Sequence, residues 1–223
     1  MKKYESLVLG VGQIGTAISA ILDCDAIDIN EVARYKTYKY IHVCFPYSDR
    51  FEEYVENYRE LYSPDYVVIH STVPIGTCNK LNAVHSPVRG VHPSLEEGIR
   101  TFVKFFGGAG AYECSQLFTR NGIPVSITSD ASNTEAMKLW DTTVYGINIL
   151  IEKEIYKFCK QNGLDFDIVY TKSNETYNKG YEKLGHPEFK KYVLKHMEGE
   201  IGGHCILPNI ELLESKVVQW FHD

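Results

Sequence analysis

No two of the six cysteines (Cys24, Cys44, Cys78, Cys114, Cys159 and Cys205) form a Cys-x-x-Cys pair, and their scatter suggests neither a zinc site nor a disulfide framework. The thiols read as reduced, which points to a cytoplasmic setting. No apolar run approaches the roughly 20 residues that cross a bilayer. Met1-Lys2-Lys3-Tyr4-Glu5 runs straight into an apolar strand, and a secretory leader is not expected. Basic residues are not in excess: 23 Lys and Arg stand against 29 Asp and Glu, a formal net charge of −6. That balance argues against nucleic acid or an anionic membrane as the main partner. Internal repeats and low-complexity segments are also lacking. What remains is an ordinary globular composition, 44% hydrophobic and 23% charged, in 223 residues. This is enough for one large domain or two small ones.

The most informative stretch is Leu7 to Gly15, Leu-Val-Leu-Gly-Val-Gly-Gln-Ile-Gly. An apolar run ends at Gly10, Gly12 and Gly15 complete G-x-G-x-x-G, and helix formers follow at Thr16 to Leu22. The pattern predicts strand, tight turn and helix. In a dinucleotide site Gly10 makes the turn, Gly12 lets a pyrophosphate reach the backbone, and Gly15 lets helix and strand pack closely. The free N–H groups at the helix start favour an anion. Gly10, Val11, Gly12, Gln13, Ile14 and Gly15 are therefore candidate cofactor contacts. Ala26 to Asn30 reads as a second strand, and Asp28 stands eighteen residues after Gly10. An acid there accepts hydrogen bonds from the ribose hydroxyls and repels a 2′-phosphate, which favours NAD over NADP. A structural βα turn with a surface aspartate would give the same letters.

Only Glu31 to Lys39 separate this strand from the next, Tyr40 to Phe45, too few for an ordinary crossover helix. The Rossmann half is trimmed here, or the connection is a bare loop. Phe45 and Pro46, at the strand's carboxyl end, join the candidate cofactor contacts. Asp49 is a plausible N-cap for a helix over Phe51 to Leu61. Tyr66 to His70 reads as a buried strand leading into Ser71-Thr72-Val73-Pro74-Ile75-Gly76-Thr77. Ligands of open α/β sheets bind beyond the carboxyl ends of strands, so Ser71 and Thr72 are candidates, with a capping turn before a helix near Lys80 as the plain alternative. Val84 to Pro93 reads as irregular. Phe102 to Phe106 reads as a strand, Glu113 to Arg120 as a helix, and Pro124 to Ile127 as a short strand.

From Ser132 to Gln161 an apolar stripe keeps a helical period for about thirty residues, roughly 45 Å. Asn162-Gly163 ends it. Lys138, Thr142 and Tyr145 form a polar stripe on one side, which a solvated face would also explain. Further helical pieces are expected around Phe166 to Thr176 and Pro187 to His196, with a last amphipathic helix over Ile210 to Phe221. Between them lies Ile201-Gly202-Gly203-His204-Cys205-Ile206, where two glycines could bring a thiol close to a ligand. The fold class is α/β: a trimmed Rossmann-type doubly wound sheet, residues 1–129, followed by a smaller all-helical domain, residues 130–223.

In order, G-V-G-Q-I-G, S-T-V-P-I-G-T, F-G-G, E-A-M-K-L-W-D-T-T and I-G-G-H-C-I resemble the UDP-glucose/GDP-mannose dehydrogenases, part of the 6-phosphogluconate dehydrogenase-like group. The resemblance runs from about Ser6 to Asn209 and lacks the C-terminal nucleotide-sugar domain. It implies two NAD-dependent oxidations of a nucleotide-sugar alcohol through a thiohemiacetal and a thioester. Cys205 would be the nucleophile, Lys138 the lysine that stabilises the oxyanion, and Thr72 the threonine near the nicotinamide. The sequence also departs from the pattern. Thr142 stands at the family's asparagine position and Asn209 at its acid position. Val88 stands where a glutamate is expected, and Tyr47 replaces a small hydroxyl residue.

Three functions are open on these residues. One is a reduced NAD-dependent dehydrogenase using Cys205 and Lys138 on a small-molecule alcohol. Another is a hydroxy-acid dehydrogenase of the same group with Lys138 as acid and base. The last is a non-catalytic NAD-binding protein. A homodimer built on the long helix is expected, because that helix carries more apolar surface than about ninety residues can cover.

Overall fold

The computed structural model describes residues 4–28, 31–90, 93–199, 206–213 and 215–221. The chain divides into two compact units, 1–139 and 140–223. The division falls within the long helix, ten residues beyond the boundary expected from sequence. The physical reason is that the first turns of that helix bury Ala131, Thr134 and Glu135 among the residues of the first unit.

The first unit is a seven-stranded sheet in the order β2-β1-β3-β4-β5-β6-β7. The strands are β1 (Tyr4–Leu9), β2 (Asp25–Ile27), β3 (Tyr38–Val43), β4 (Tyr66–Ile69), β5 (Val84–His85), β6 (Lys104–Gly107) and β7 (Val125–Thr128). All neighbours are parallel except β5 and β6, which meet antiparallel at His85 and Gly107. Both faces are covered, so the central strands are apolar almost throughout, as parallel strands must be. One face buries Leu7, Leu9, Ile41, Val43 and Ile69 under helix α2 (Phe51–Tyr62). The other buries Val8, Tyr40, Val68 and Phe106 under α1 (Gln13–Leu22), α4 (Leu95–Thr101) and α5 (Ala111–Thr119). A four-residue helix, α3 (Thr77–Lys80), lies between β4 and β5.

No helix occurs between β2 and β3 among the described residues, so that crossover is a loop. It is tied down by the Ala33 N–H donating to the Tyr62 hydroxyl at 3.0 Å and by Tyr38 donating to Asp25 at 3.1 Å. Asp49 does not cap α2. Arg50 holds the cap position without a side-chain bond, and Glu52 and Glu53 supply the negative charge that suits a helix start.

In the second unit, α6 (Ala131–Asn162) continues as the principal element. A π-helical stretch, Asp167–Lys172, runs into α7 (Ser173–Lys183). Beyond the 3-10 turn Pro187–Phe189 no helix forms over 190–196, contrary to the sequence expectation. Side chains take up the backbone groups that a helix would have paired. Asn178 binds both the N–H and the carbonyl of Lys191, the Tyr170 hydroxyl takes the N–H of Leu194, and His196 meets the buried Glu152 at 2.7 Å. The last amphipathic helix is also shorter than its pattern suggests: α8 (Leu207–Ile210) is one turn, followed by a 3-10 stretch Lys216–Phe221. Both turns pack against Gly146 of α6. A Cβ there would lie within 3.1 Å of Phe221, Ile206 and Ile210, so the absence of a side chain lets both turns approach the helix closely.

Candidate functional site

The turn after β1 is shaped by its glycines in three different ways. Gly10 has φ +96°, a conformation side chains resist, and a Cβ there would be 3.0 Å from the Phe45 nitrogen. Gly15 is closed in: its Cβ would fall 1.7 Å from the Gly10 carbonyl oxygen, so helix and strand meet at a distance only glycine permits. Gly12, the N-cap of α1, has nothing within 4 Å of a Cβ. The helix therefore starts against open space with its first N–H groups uncapped by any side chain. Thr16 donates to the Val11 carbonyl at 3.1 Å and steadies the turn. Val11 and Gln13 are exposed, and Ile14 is half-buried against the core. The residues present fit a pyrophosphate at this turn.

Asp28 follows β2 directly and is exposed. Its strand lies beside the turn, because the Gly10 N–H donates to the Ile27 carbonyl at 2.8 Å. The Asp28 N–H donates in turn to the Glu31 carboxylate at 2.8 Å, which places a second acid close to the first.

At the carboxyl ends of β3 and β4 the Ser71 hydroxyl donates to the Phe45 carbonyl at 2.6 Å, joining two segments proposed for the cofactor. Phe45 is half-buried against Phe51, Tyr54 and Tyr58. Tyr47 packs its ring 5.4 Å from Phe51, so the bulky residue in place of a small hydroxyl has a packing role. Pro46 is exposed and Thr72 half-buried.

Two residues that sequence reasoning left without a role organise this edge. Glu135 on α6 is fully buried and accepts the N–H groups of Gly76 and Cys78 at 2.6 and 2.7 Å. Its carboxylate thus pins the loop that carries Ser71 and Thr72. His85, also fully buried, bridges the Ser71 carbonyl at 3.2 Å and the Thr134 hydroxyl at 2.9 Å. Burial, with Lys104 and Lys138 nearby, holds the His85 pKa down at about 3, so it is neutral and donates through Nε2. Three histidines at or near strand ends, His42 inside β3, His70 just after β4 and His85 at the end of β5, were the available signal. Glu135→Ala should lower the unfolding free energy by about 3–6 kcal/mol, since two charge-assisted bonds go and a buried N–H is left unpaired. Glu135→Gln, which keeps one good acceptor, should lose roughly half of that in urea titrations. Equal stability of all three proteins would remove the pinning role.

Lys138, on the same helix, donates to the Val88 carbonyl at 2.9 Å. Val88 itself is 5% exposed and belongs to the hydrophobic core, so the residue at the expected glutamate position cannot act as an acid or base. In the second unit, Thr142 and Asn209 are half-buried on α6 and α8. Cys205 lies outside the described residues, as do its neighbours Ile201 to His204. No cluster of His, Cys, Asp or Glu that could hold a metal occurs among the described residues, and no helix among them is long and apolar enough to cross a membrane.

The sequence matches no family model and none of the curated proteins. Solved structures do match. The UDP-D-ManNAc dehydrogenase of Pyrococcus horikoshii superposes with a TM-score of 0.76 at 18% identity, over 98% of this chain and 67% of that one. The chain shares the fold of the UDP-sugar dehydrogenases. The UDP-N-acetyl-mannosamine dehydrogenase of Staphylococcus aureus gives a TM-score of 0.67 at 17% identity, over 97% of this chain and 66% of its own. The 3-hydroxyisobutyrate dehydrogenase of Mycobacterium tuberculosis gives 0.56 at 15%, over 74% and 67%. The chain thus spans about two thirds of the length of the UDP-sugar dehydrogenases whose fold it shares.

Proposed function

We propose that the chain is an NAD-dependent oxidoreductase that oxidises an alcohol of the sugar or sugar-nucleotide type. The observation that carries this reading is the turn from Gly10 to Gly15, with its open space at Gly12 against the uncapped start of α1. Gly10 to Gly15 would hold the pyrophosphate, Asp28 the ribose hydroxyls, and Phe45, Pro46, Ser71 and Thr72 the distal half of the cofactor. NAD, when bound, supplies the hydride acceptor. Lys138 would stabilise negative charge on the substrate oxygen, a role in which a fixed cation contributes strongly. Cys205 would be the nucleophile, with Thr142 and Asn209 at the site.

Asp28 and Glu31, held together by the Asp28 N–H bond to the Glu31 carboxylate, would present negative charge to the 2′-phosphate of NADP. Calorimetric titration should therefore show NAD binding at least tenfold tighter than NADP. Equal affinities, or no binding of either, would defeat the reading.

The buried Val88 favours a chemistry that stops early. Releasing a thioester needs a base to activate water, and neither Val88 nor Asn209 supplies one. The likeness to a 3-hydroxyisobutyrate dehydrogenase keeps a two-electron oxidation of a hydroxy acid as the second reading. We further propose a homodimer on the α6 portion of the second unit, where Trp140, Ile151 and Phe158 are 41%, 51% and 54% exposed within one chain.

A further inference from the structure

Across the sheet face beneath α5 runs a file of buried polar groups that the proposed reaction does not use. Ser6 of β1, His42 of β3, His70 after β4 and Lys104 of β6 are all buried. His42 Nε2 lies 3.4 Å from Ser6 Oγ, and His42 Nδ1 lies 3.0 Å from His70 Nε2. His70 Nδ1 lies 2.7 Å from the Ser86 carbonyl and 3.4 Å from Lys104 Nζ. Lys104 Nζ also reaches the carbonyls of Ser86 at 3.0 Å and Pro87 at 3.3 Å. The two rings stack at 12°, and Phe118 closes them off edge-on. At the far end, Ser6 lines a cavity of about 380 Å³ together with Glu5, Asp23, Asp25 and Arg120.

Each distance fixes a proton. The 2.7 Å contact with a carbonyl requires N–H at His70 Nδ1, so His70 Nε2 is an acceptor. His42 must then donate from Nδ1 and accept at Nε2 from the Ser6 hydroxyl. A neutral Lys104 completes this pattern: two N–H bonds go to the two carbonyls, and its lone pair faces the His70 N–H. The distances therefore describe the neutral state; a charged Lys104 goes with the opposite pattern, in which a bare His70 Nδ1 turns from the Ser86 carbonyl to accept from Lys104 Nζ and both imidazole protons lie one step toward Ser6.

We propose that Ser6, His42, His70 and Lys104 form a proton relay by which Lys104 exchanges its proton with the cavity at Ser6, and that Lys104 is thereby a positioning residue for Lys138. In the transfer, Lys104 passes a proton to His70 Nδ1 while His70 passes its Nε2 proton to His42 Nδ1. His42 passes its Nε2 proton to Ser6 Oγ, and the former Ser6 hydroxyl proton leaves to water in the cavity. One proton exits, each heavy atom keeps its valence, and the neutral pattern results.

The link to Lys138 is the turn 86–88. Lys104 holds the carbonyls of Ser86 and Pro87, and Lys138 holds the next one, of Val88. Two ammonium groups on successive carbonyls repel each other, so discharge of Lys104 favours charge on Lys138. The titratable and charged groups facing Lys104 are His70, His42, Cys44, Arg89 and Lys138, none of them a carboxylate. Those facing His70 are Lys104, His42 and His85. Burial and the two cations bring the Lys104 pKa down to about 7, within reach of such a switch.

The catalytic meaning of this relay rests on the dehydrogenase reading, but the relay itself is tested without cofactor. Imidazole ¹⁵N spectra of the full chain should show His42 and His70 changing tautomer together, with one shared midpoint near pH 7. In Lys104→Met the change should vanish and both rings keep the neutral pattern. In Ser6→Ala, which removes the outlet with little change in volume, exchange between the two patterns should slow at least tenfold, read as exchange broadening of the ring nitrogens, and an unchanged exchange rate would take Ser6 out of the relay. Rings that titrate separately, or a tautomer change that persists in Lys104→Met, would overturn the relay. For the positioning role, acetylation of Lys138 followed by mass spectrometry should show two inflections with pH in wild type and one in Lys104→Met. An unchanged profile leaves Lys138 independent of Lys104 and overturns that part.

Discussion

Gly15→Ala should abolish measurable NAD binding and lower the melting temperature by about 6–12 °C. The reason is the 1.7 Å that would separate the new Cβ from the Gly10 carbonyl oxygen, a distance no two non-bonded atoms tolerate. The obstacle is backbone, so α1 must lift from β1 or the turn must reopen. Overpacking by one methyl in a rigid place costs about 1–3 kcal/mol, and a backbone clash belongs at or above the upper end. For a chain of this size 3 kcal/mol corresponds to about 6–12 °C. Gly12→Ala separates the two consequences. Its Cβ meets nothing within 4 Å and its φ of −65° suits alanine, so stability should hardly change. The methyl would nevertheless occupy the space assigned to the pyrophosphate, and NAD affinity should fall at least a hundredfold. A Gly12→Ala protein that binds NAD like wild type would show that this turn is not the phosphate site.

The same turn shows what kind of information sequence carries. Strand β1, the glycines and α1 are contiguous, and each residue's role depends on neighbours within a dozen positions. The helix Ala131–Asn162 was legible for a related reason, since its apolar stripe repeats over nine turns' worth of residues. The short β5 was not, because Val84 and His85 become strand only through pairing with Val68 and Ile69. Lys104 shows the limit most clearly. In Phe102-Val103-Lys104-Phe105-Phe106 it reads as the polar member of a half-exposed strand, yet it is 4% exposed and turned onto the carbonyls of Ser86 and Pro87. Nothing local announces the partners that make this burial tolerable. Glu135 is similar: its letters belonged to a recognisable pattern, but its work, holding the N–H groups of Gly76 and Cys78, spans a separation of nearly sixty residues. At the C-terminal end the amphipathic pattern was present, but the close packing of Ile206, Ile210 and Phe221 on Gly146, some sixty to seventy-five residues earlier, is not written in it.

Stability should collapse on the acid side well before most carboxylates are protonated. His42 and His85 are fully buried, and burial and nearby Lys104 hold both pKa values near 3, against about 6.5 in the unfolded chain. His70 is shifted in the same direction, by burial first and Lys104 second. Below pH 6.5 the unfolded state therefore binds protons that the folded state refuses, and unfolding gains free energy as pH falls. Each such group contributes about 1.4 kcal/mol per pH unit, so three give roughly 4 kcal/mol per unit through most of that window. A domain stable by about 5–15 kcal/mol would be exhausted within a few units. Lys104 acts with the same sign at higher pH. Its folded pKa of about 7 lies below 10.5, so its cost is complete below pH 7 and is relieved as pH rises toward 10.5. The buried thiols oppose it. Cys24, Cys44, Cys78 and Cys114 are all pushed above 9 by burial, so ionisation of the unfolded chain erodes stability above that pH. One rising contribution against four falling ones places the optimum near pH 8–9. Urea titrations from pH 4 to 10 should trace this peak, and His85→Gln should reduce the acid slope by about a third. A stability that stays flat between pH 4.5 and 8 would mean that these histidines accept protons in the folded protein, and their assignment as neutral partners of Ser71 and Ser86 would fall with it.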